Sequence, residues 1–294
     1  MAYVLSIIAD PAAPIINADV KSRFNALTPG DGWLDLSPSI ASELSLQEAD
    51  QTLLTSLRDA AKDLPLDINI LPAEHRRKRL LIADMDSTII EQECIDELAD
   101  FAGKRAEISA ITERAMHGEL DFEQALEERV AMLKGLSLSV LAQTFEKRIS
   151  LMPGARTLVQ TMRKNGAYTM LVSGGFTYFA ERVAEATGFQ MTQANLLLAE
   201  NDHLTGAVSK PILGRSAKQE ALERVASAKS IDLKDTLAVG DGANDLSMLD
   251  KAGLGVAYHA KPAVAEAADI RIDHGDLTAL LYLQGYAQAD FITE

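Results

Sequence analysis

Two aspartates one residue apart, Asp84 and Asp86, follow the short apolar run of residues 80–83. An apolar run of this length predicts a buried strand. Because side chains alternate along an extended chain, the two carboxylates would point the same way. Two like charges this close are unfavourable unless they share a cation or a proton. The pair therefore indicates a metal site, an acid–base pair or both; the alternative is a polar turn capped by Ser87 and Thr88.

Two further polar clusters follow predicted strands at residues 168–172 and 236–239. They are Ser173, Gly174 and Gly175 after the first strand, and Asp241, Asn244 and Asp245 after the second. Because parallel strands place their carboxyl ends at one edge of a sheet, all three clusters would meet there. Aspartate oxygens suit Mg²⁺, and a serine followed by glycines lets backbone N–H groups approach a phosphate. Lys218, in the first turn of a predicted helix, could add a positive charge, although alone it is more often a solvated lysine.

Strands and helices alternate from residue 152 onward, which predicts a parallel sheet covered on both faces. Residues of about 92–150 show only helical periodicity and predict an inserted helical cap. Residues 1–75 predict a small N-terminal α+β accessory domain, with a helix over residues 45–64. Residues 76–294 would hold the core. The predicted class is α/β, with a Rossmann-like parallel sheet, a helical cap and the small α+β domain.

The chain has 294 residues and a net charge of −15, which argues against nucleic acid or an anionic membrane as a partner. A small anionic substrate stays compatible, because a local site can be positive on an acidic protein. The single cysteine, Cys94, allows no intrachain disulfide and fits a reducing, cytoplasmic compartment. Residues 1–10 predict a strand and not a signal peptide, and no apolar run approaches the ~18 residues of a membrane span.

The polar clusters are similar to the four motifs of the haloacid dehalogenase superfamily of phosphohydrolases, and they occur in that family's order. The motifs are Asp84-Met-Asp-Ser-Thr88, Ser173-Gly-Gly175, Lys218 and Gly240-Asp-Gly-Ala-Asn-Asp245. Residues 84–93 and 240–249 closely resemble the phosphoserine phosphatase family within it, and the helical insert lies where that family carries its cap. The resemblance spans most of residues 80–290. The N-terminal unit resembles amino-acid-sensing, ACT-like domains only loosely.

The resemblance implies Mg²⁺-dependent hydrolysis of O-phospho-L-serine through an aspartyl phosphate, as the last step of serine biosynthesis. Asp84 would be the nucleophile, and Asp86 would be the general acid and base. The carboxylates of Asp84 and Asp241 and the backbone carbonyl of Asp86 would bind Mg²⁺. The other motif residues divide into phosphate-binding groups, which are Ser173, Gly174, Lys218 and Asn244, and supporting groups, which are Thr88, Gly175 and Asp245.

The resemblance assigns substrate specificity to the helical insert. Glu93 would bind the substrate ammonium and Arg129 the substrate carboxylate, while Met116 and Phe122 would line the pocket. Arg129 is also informative by position, because it follows Leu126 by three residues on the apolar face of its helix. A guanidinium there needs an anionic partner. Without the family, a snorkelling arginine or a structural salt bridge is the better explanation.

Alternative functions stay open at this point. One is a phosphatase or phosphotransferase that acts on another small phospho-amino acid or transfers the phosphoryl group to an alcohol. Another is an amino-acid-binding regulator on a phosphatase scaffold, against which the intact Asp84, Asp86, Lys218 and Asp241 argue. The predicted partner is a small-molecule substrate, with neither nucleic acid nor membrane, and a homodimer is compatible with the sequence.

Overall fold

The computed structural model describes residues 2–28, 32–116 and 120–293, and for residues 113, 115, 116 and 215 it describes the backbone alone. Within these described residues, the strands form three sheets, which have four, six and two strands. None of the helices in the described part of the chain combines the length and the apolar character that crossing a bilayer requires.

The first sheet is antiparallel and lies entirely within the N-terminal unit. Its elements are strands β1 (Tyr3–Ala9), β2 (Leu34–Ser37), β3 (Ala41–Leu46) and β4 (Leu66–Pro72) and helices α1 (Ala18–Asn25) and α2 (Gln51–Ala60). The strand order is β2-β3-β1-β4. Strand β1 is buried on both faces, because Leu5 and Ile7 pack with the two helices whereas Ile8 packs with the larger core. That residues 1–75 form a separate domain stays a prediction.

The helix predicted over residues 45–64 is shorter in the structure, and its first part belongs to strand β3. Leu44 and Leu46 are buried and share one face of that strand, which pairs antiparallel with β1. The helix α2 starts after Asp50, whose Oδ1 accepts a hydrogen bond from Leu53 N at 2.7 Å. An acceptor at this position satisfies a backbone donor that the first helical turn leaves free, so Asp50 sets the start of the helix.

The larger sheet is parallel and carries helices on both faces. The remaining strands are β5 (Leu80–Ala83), β6 (Tyr168–Phe176), β7 (Met191–Asn195), β8 (Leu197–Glu200), β9 (His203–Val208), β10 (Thr236–Gly240), β11 (Leu254–Tyr258) and β12 (Ile270–Ile272). The remaining helices are α3 (Cys94–Ala102), α4 (Arg105–Met116), α5 (Phe122–Ala131), α6 (Ser139–Arg148), α7 (Ala155–Lys164), α8 (Thr177–Thr187), α9 (Arg215–Ala228), α10 (Leu246–Lys251), α11 (Pro262–Ala267) and α12 (Ala279–Leu283).

Strand β5 lies near the centre of the parallel sheet, whose order is β12-β11-β10-β5-β6-β7. All four of its residues are 0% exposed, as expected for a strand that is covered on both faces. Leu81 and Ala83 pack into the core that includes α7 and α8, whereas Leu80 and Ile82 pack into the core that includes α9 and α10. The predicted α/β class is therefore confirmed.

The helical insert of about residues 92–150 connects to the sheet through two segments that lie side by side. Glu91 N donates to Ser150 O over 3.1 Å, and Met152 N donates to Ile89 O over 2.9 Å. The first segment enters the insert and the second leaves it. Helices α3 to α6 therefore form an excursion from the end of strand β5 that returns close to its starting point.

The hairpin of strands β8 and β9 packs against the insert. Leu204 N donates to Leu136 O over 2.8 Å, and Gly135 N donates to Leu204 O over 2.8 Å. The hairpin turns at Asn201 and Asp202, whose φ angles of 50° and 62° suit a two-residue turn.

The N-terminal sheet is joined to the parallel sheet through side chains of strand β4. Asn69 Nδ2 donates to Arg271 O over 2.9 Å, and Arg271 N donates to Asn69 Oδ1 over 3.1 Å. The carboxylate of Asp67 accepts backbone N–H groups of Asp273 and Gly275, each over 2.7 Å. Both side chains are buried and take the place of a neighbouring strand beside the short edge strand β12.

Candidate active site

The three polar clusters lie at the carboxyl ends of three adjacent parallel strands. Asp84 follows β5, Asp241 follows β10, and Ser173 lies in the last part of β6. Strand β5 pairs with both neighbours, and Asp84 N donates to Val239 O over 3.0 Å. The hydrogen bonding of the sheet therefore fixes the spacing of these side chains, as the sequence predicted.

A buried acidic cluster forms where β5 and β10 end. Carboxylate oxygens of Asp84, Asp241 and Asp245 all lie within 4.8 Å of one another. Lys218 Nζ lies 2.7 Å from Asp84 Oδ2 and 2.5 Å from Asp245 Oδ1. When ionised, three carboxylates and one ammonium leave a net charge of −2 in a buried place. Oxygen donors with this excess charge fit a divalent cation.

Burial dominates the pKa values in the acidic cluster. It raises the pKa of Asp84 well above the ordinary value, and the charge of Asp245 adds to the effect. Burial and Asp245 also raise the pKa of Asp241, to about 6. Burial lowers the pKa of Lys218, but the charges of Asp245 and Asp84 outweigh it, so that the pKa is raised and the lysine stays charged. The cluster thus contains more carboxylates than its single ammonium can balance.

Asp245 was predicted to have a supporting role at the metal site. Its carboxylate lies in the acidic cluster, where it contacts Lys218. Its Oδ2 also accepts Gly242 N over 3.0 Å, which holds the loop after β10. Thr88 Oγ1 donates to Asp241 Oδ1 over 3.3 Å, and half-buried Asn244 lies against Gly242. Thr88 and Asn244 therefore lie next to residues of the cluster and of its loop.

Asp86 lies in a different environment from the acidic cluster. Its Oδ1 accepts Cys94 N over 2.8 Å at the start of α3, and its Oδ2 accepts Ser173 Oγ over 3.1 Å. Burial, with the charge of Glu93, raises the pKa of Asp86 to about 6, although the bonds from Cys94 and Ser173 act against this. A carboxyl group that titrates near neutrality can both give and take a proton. The two aspartates of the first motif therefore differ in chemistry.

The glycines of the second motif lie very close to neighbouring side chains. A Cβ atom at Gly174 would lie 2.8 Å from Phe122 Cζ, and one at Gly175 would lie 2.6 Å from Asp86 Oδ2. Gly175 N also donates to Ser173 Oγ over 2.8 Å. The backbone of this loop is therefore packed between the first motif and the first residue of α5, and Phe122 covers it from the helical insert.

Two charged residues of the insert face the same region. Ser87 Oγ donates to Glu93 Oε1 over 2.8 Å, just before α3. Arg129 Nε donates to Ala125 O over 3.0 Å, and Arg129 has a weak contact of 3.4 Å with Thr112 Oγ1. Burial lowers the pKa of Arg129, against the charges of Glu93 and other nearby carboxylates. Among the side chains that the structure describes, no carboxylate forms an ion pair with Arg129.

Two further observations concern the predicted pocket. The side chain of Met116 lies outside the described part of the chain. Asp96, which sequence reasoning did not single out, is half-buried, and burial together with Glu93 raises its pKa. The signal for Asp96 was present in its spacing, because it follows Glu93 by three residues and shares a helix face with it.

Comparison with known proteins places the chain in a family. A model of the haloacid dehalogenase-like hydrolases matches residues 81–250. The chain is 43% identical over 242 residues to a phosphoserine phosphatase of Streptomyces coelicolor, which covers 82% of this chain and 59% of that protein. It is 44% identical to a phosphoserine phosphatase of Polaromonas sp. over 210 residues. The aligned residues make up 70% of this chain and 89% of that protein. The match to an Archaeoglobus fulgidus phosphoserine phosphatase covers 65% of that protein, so two of these relatives are matched over less than two thirds of their length.

Solved structures that resemble this chain come from the same family. A haloacid dehalogenase family hydrolase of Salmonella enterica serovar Typhi has a TM-score of 0.85 and 29% identity, covering 96% of this chain and 98% of that one. A phospho-aspartyl intermediate analogue of phosphoserine phosphatase has a TM-score of 0.66 and 41% identity, covering 70% of this chain and 98% of that one. The chain belongs to the haloacid dehalogenase-like hydrolases and, within them, to the phosphoserine phosphatase family.

Proposed function

We propose that this protein hydrolyses O-phospho-L-serine to L-serine and phosphate. The observation that carries the proposal is the pair of opposite charges, Glu93 and Arg129, that the insert holds beside Asp86. A phosphoserine has an ammonium and a carboxylate beyond its phosphate, so it needs one protein anion and one protein cation at this place. A guanidinium that pairs with none of the carboxylates the structure describes is suited to a bidentate contact with that carboxylate.

The proposed reaction has two steps on one carboxylate. Asp84 attacks phosphorus, the bond from phosphorus to the serine oxygen breaks, and Asp86 gives its proton to that oxygen. Asp86 then takes a proton from a water molecule that attacks the phosphorus of the aspartyl phosphate. Phosphate leaves, and the carboxylate of Asp84 is restored. A pKa of about 6 for Asp86 suits both directions of proton transfer near neutral pH.

The remaining residues bind and orient the phosphoryl group. Ser173, Gly174, Lys218 and Asn244 would contact its oxygens. A divalent cation, which we propose to be Mg²⁺ because all the available donors are oxygen atoms, would be held by Asp84, Asp241 and the backbone carbonyl of Asp86, with Asp245 adjacent. Bound there, it would offset the repulsion between the nucleophile and the phosphate. Phe122 would exclude water from the reacting groups.

A screen of phosphate release over phosphorylated amino acids and sugars, with and without Mg²⁺, tests the proposal. We expect the highest kcat/KM for O-phospho-L-serine and no release without a divalent cation. A clear preference for another phosphate ester would overturn the substrate assignment. Faster transfer of the phosphoryl group to an added alcohol than to water would make the protein a phosphotransferase. The predicted limits of the accessory domain and the insert, the homodimer and the cytoplasmic location stay predictions.

A further inference from the structure

A buried asparagine connects two phosphate-binding parts of the site. Asn195 is the last residue of β7 and is 2% exposed. Its Nδ2 donates to Gly174 O over 2.8 Å, and its Oδ1 accepts Leu213 N over 2.8 Å. One amide side chain is therefore bonded on both sides to the backbone of other segments.

The two segments that Asn195 joins carry different groups of the site. Gly174 lies in the irregular last part of β6, residues 173–175, which we call the Gly174 loop and which begins with Ser173. Leu213 lies just before α9, the helix that presents Lys218. The N-cap residue of that helix, Gly214, supplies no side-chain cap. The bond to Leu213 therefore holds the backbone just before a helix start that has no side-chain cap of its own.

The neutral amide makes both bonds from one short side chain, because it carries a donor and an acceptor. The carbonyl of Gly174 needs a donor, and the N–H of Leu213 needs an acceptor. An ionised aspartate would keep the acceptor but place a carboxylate oxygen against the Gly174 carbonyl. The backbone around Asn195 is itself held, because Thr177 Oγ1 donates to the carbonyls of Ala194 and Asn195 over 3.2 and 3.1 Å. The side-chain amide of Asn195 is thus attached to a backbone whose position is itself held by hydrogen bonds.

We propose that Asn195 is a positioning residue for phosphate binding, which sets the separation between the Gly174 loop and the helix of Lys218. A phosphoryl group has to fit between these two parts and contact both. The inference rests on the proposed function only in requiring that the site binds a phosphate ester. It holds for any phosphate ester, because the residue acts on the phosphate-binding groups and not on the serine-binding ones.

Asn195→Asp is the test, and Asn69→Asp is its matched control. Asn69 is also buried and bonded on both sides to backbone. Its Nδ2 donates to Arg271 O, and its Oδ1 accepts from Arg271 N and, over 3.4 Å, from the Arg58 guanidinium, but it joins β4 to β12. Both changes remove one donor to a carbonyl and add a buried carboxylate. The measurements are KM and kcat for O-phospho-L-serine and for p-nitrophenyl phosphate, the Ki of inorganic phosphate, and the rise in Tm that phosphate causes.

For Asn195→Asp we expect the Ki of phosphate and the KM of both esters to rise, by about 10- to 100-fold, since small misplacements of binding groups have effects of this size. The rise in Tm caused by phosphate should disappear. Asn69→Asp should lower the Tm without phosphate but leave Ki and KM unchanged. Asn195→Ala, which adds no charge, replaces the aspartate variant if that one does not fold.

An unchanged Ki of phosphate in folded Asn195 variants would overturn the inference and leave Asn195 a purely structural residue. Equal increases of Ki in the Asn195 and Asn69 variants would overturn it as well, because general destabilisation would then explain the effect. If the wild-type protein hydrolyses p-nitrophenyl phosphate but not O-phospho-L-serine, the proposed function fails. The measurements with p-nitrophenyl phosphate and inorganic phosphate still test Asn195 in that case.

Discussion

Lys218 Nζ lies 2.7 Å from Asp84 Oδ2, so the lysine proposed to bind phosphate forms an ion pair with the proposed nucleophile. Their side chains are only 4% and 7% exposed. A buried ion pair contributes little net stability, but the loss of one partner leaves the other charge buried and unbalanced. The same contact therefore connects the stability of the protein with its chemistry.

Replacing Lys218 should show both effects. Lys218→Met leaves Asp84 and Asp245 without their cation, and we expect it to lower the free energy of unfolding by about 3–5 kcal/mol and to abolish turnover. Added Mg²⁺ should restore part of the lost stability, because it can balance the carboxylates. Urea unfolding with and without Mg²⁺ measures this. Lys210→Met is the control, because Lys210 pairs with Glu127 on the surface, where its side chain is 72% exposed, and its loss should leave stability unchanged.

Asp84→Asn tests the nucleophile. The amide cannot form an aspartyl phosphate, so we expect no turnover of O-phospho-L-serine or of p-nitrophenyl phosphate. Phosphate release and circular dichroism should be measured on the same sample, to separate lost chemistry from lost fold. Retained activity with either substrate would remove Asp84 from the mechanism.

Asp86→Asn should affect the two steps differently, depending on the leaving group. An alkoxide such as that of serine needs a proton, whereas p-nitrophenolate leaves without one. We therefore expect no reaction with O-phospho-L-serine, but a burst of about one p-nitrophenol per enzyme, followed by slow turnover because the attacking water lacks its base. Stopped-flow absorbance measures the burst. Equal losses in both substrates without a burst would argue against Asp86 as the proton donor.

Arg129→Met should damage recognition of the substrate carboxylate and leave phosphate chemistry intact. We expect kcat/KM for O-phospho-L-serine to fall about 30-fold or more, which corresponds to ~2 kcal/mol for a buried charge pair. Turnover of p-nitrophenyl phosphate should change little, since it has no carboxylate at that place. Arg105→Met on the neighbouring helix is the control, because Arg105 pairs with Asp100 and is half exposed. A similar loss on both substrates would contradict the assignment of Arg129.

Asp67→Ala should loosen the contact between the two sheets. The change removes the acceptor of the backbone N–H groups of Asp273 and Gly275, and we expect a loss of roughly 3 kcal/mol in the free energy of unfolding. Hydrogen exchange at the amides of residues 273–275 should become faster. Asp59→Ala, at an exposed position of α2, should change neither quantity. Unchanged exchange in Asp67→Ala would show that the two sheets are held together by other contacts.

The sheet and the meeting of the motifs could be predicted because both follow from local patterns. The apolar run of residues 80–83 and the polar residues that follow it determine a buried strand and its functional end. The length of α2 could not be predicted in the same way, because Leu46 lies seven residues before Leu53, a spacing that also fits one face of a helix. Its place in a strand depends on pairing with β1, which is distant in the sequence.

Residues that act through long-range contacts were the hardest to predict. Asn195 has no motif around it, and its two bonds join it to Gly174 and Leu213, about twenty residues away on either side. Lys78 lies in the basic run Arg76-Arg-Lys-Arg79, but it is buried, and its Nζ donates to the backbone carbonyls of Lys234 and Gly253. A lysine in a charged run gives no signal of such a position.

The paired segments at Glu91–Ser150 and Ile89–Met152 have a consequence for how the protein can change. The chain enters and leaves the helical insert at one place, although the insert also contacts strands β6 and β9, so its length and composition can vary without altering strands β5 and β10, which end at Asp84 and Asp241. A transplanted insert with other charges in place of Glu93 and Arg129 would keep the same phosphoryl chemistry but accept a different leaving group. Because of this attachment, the segment that selects the substrate can be exchanged without changing the segment that carries out the reaction.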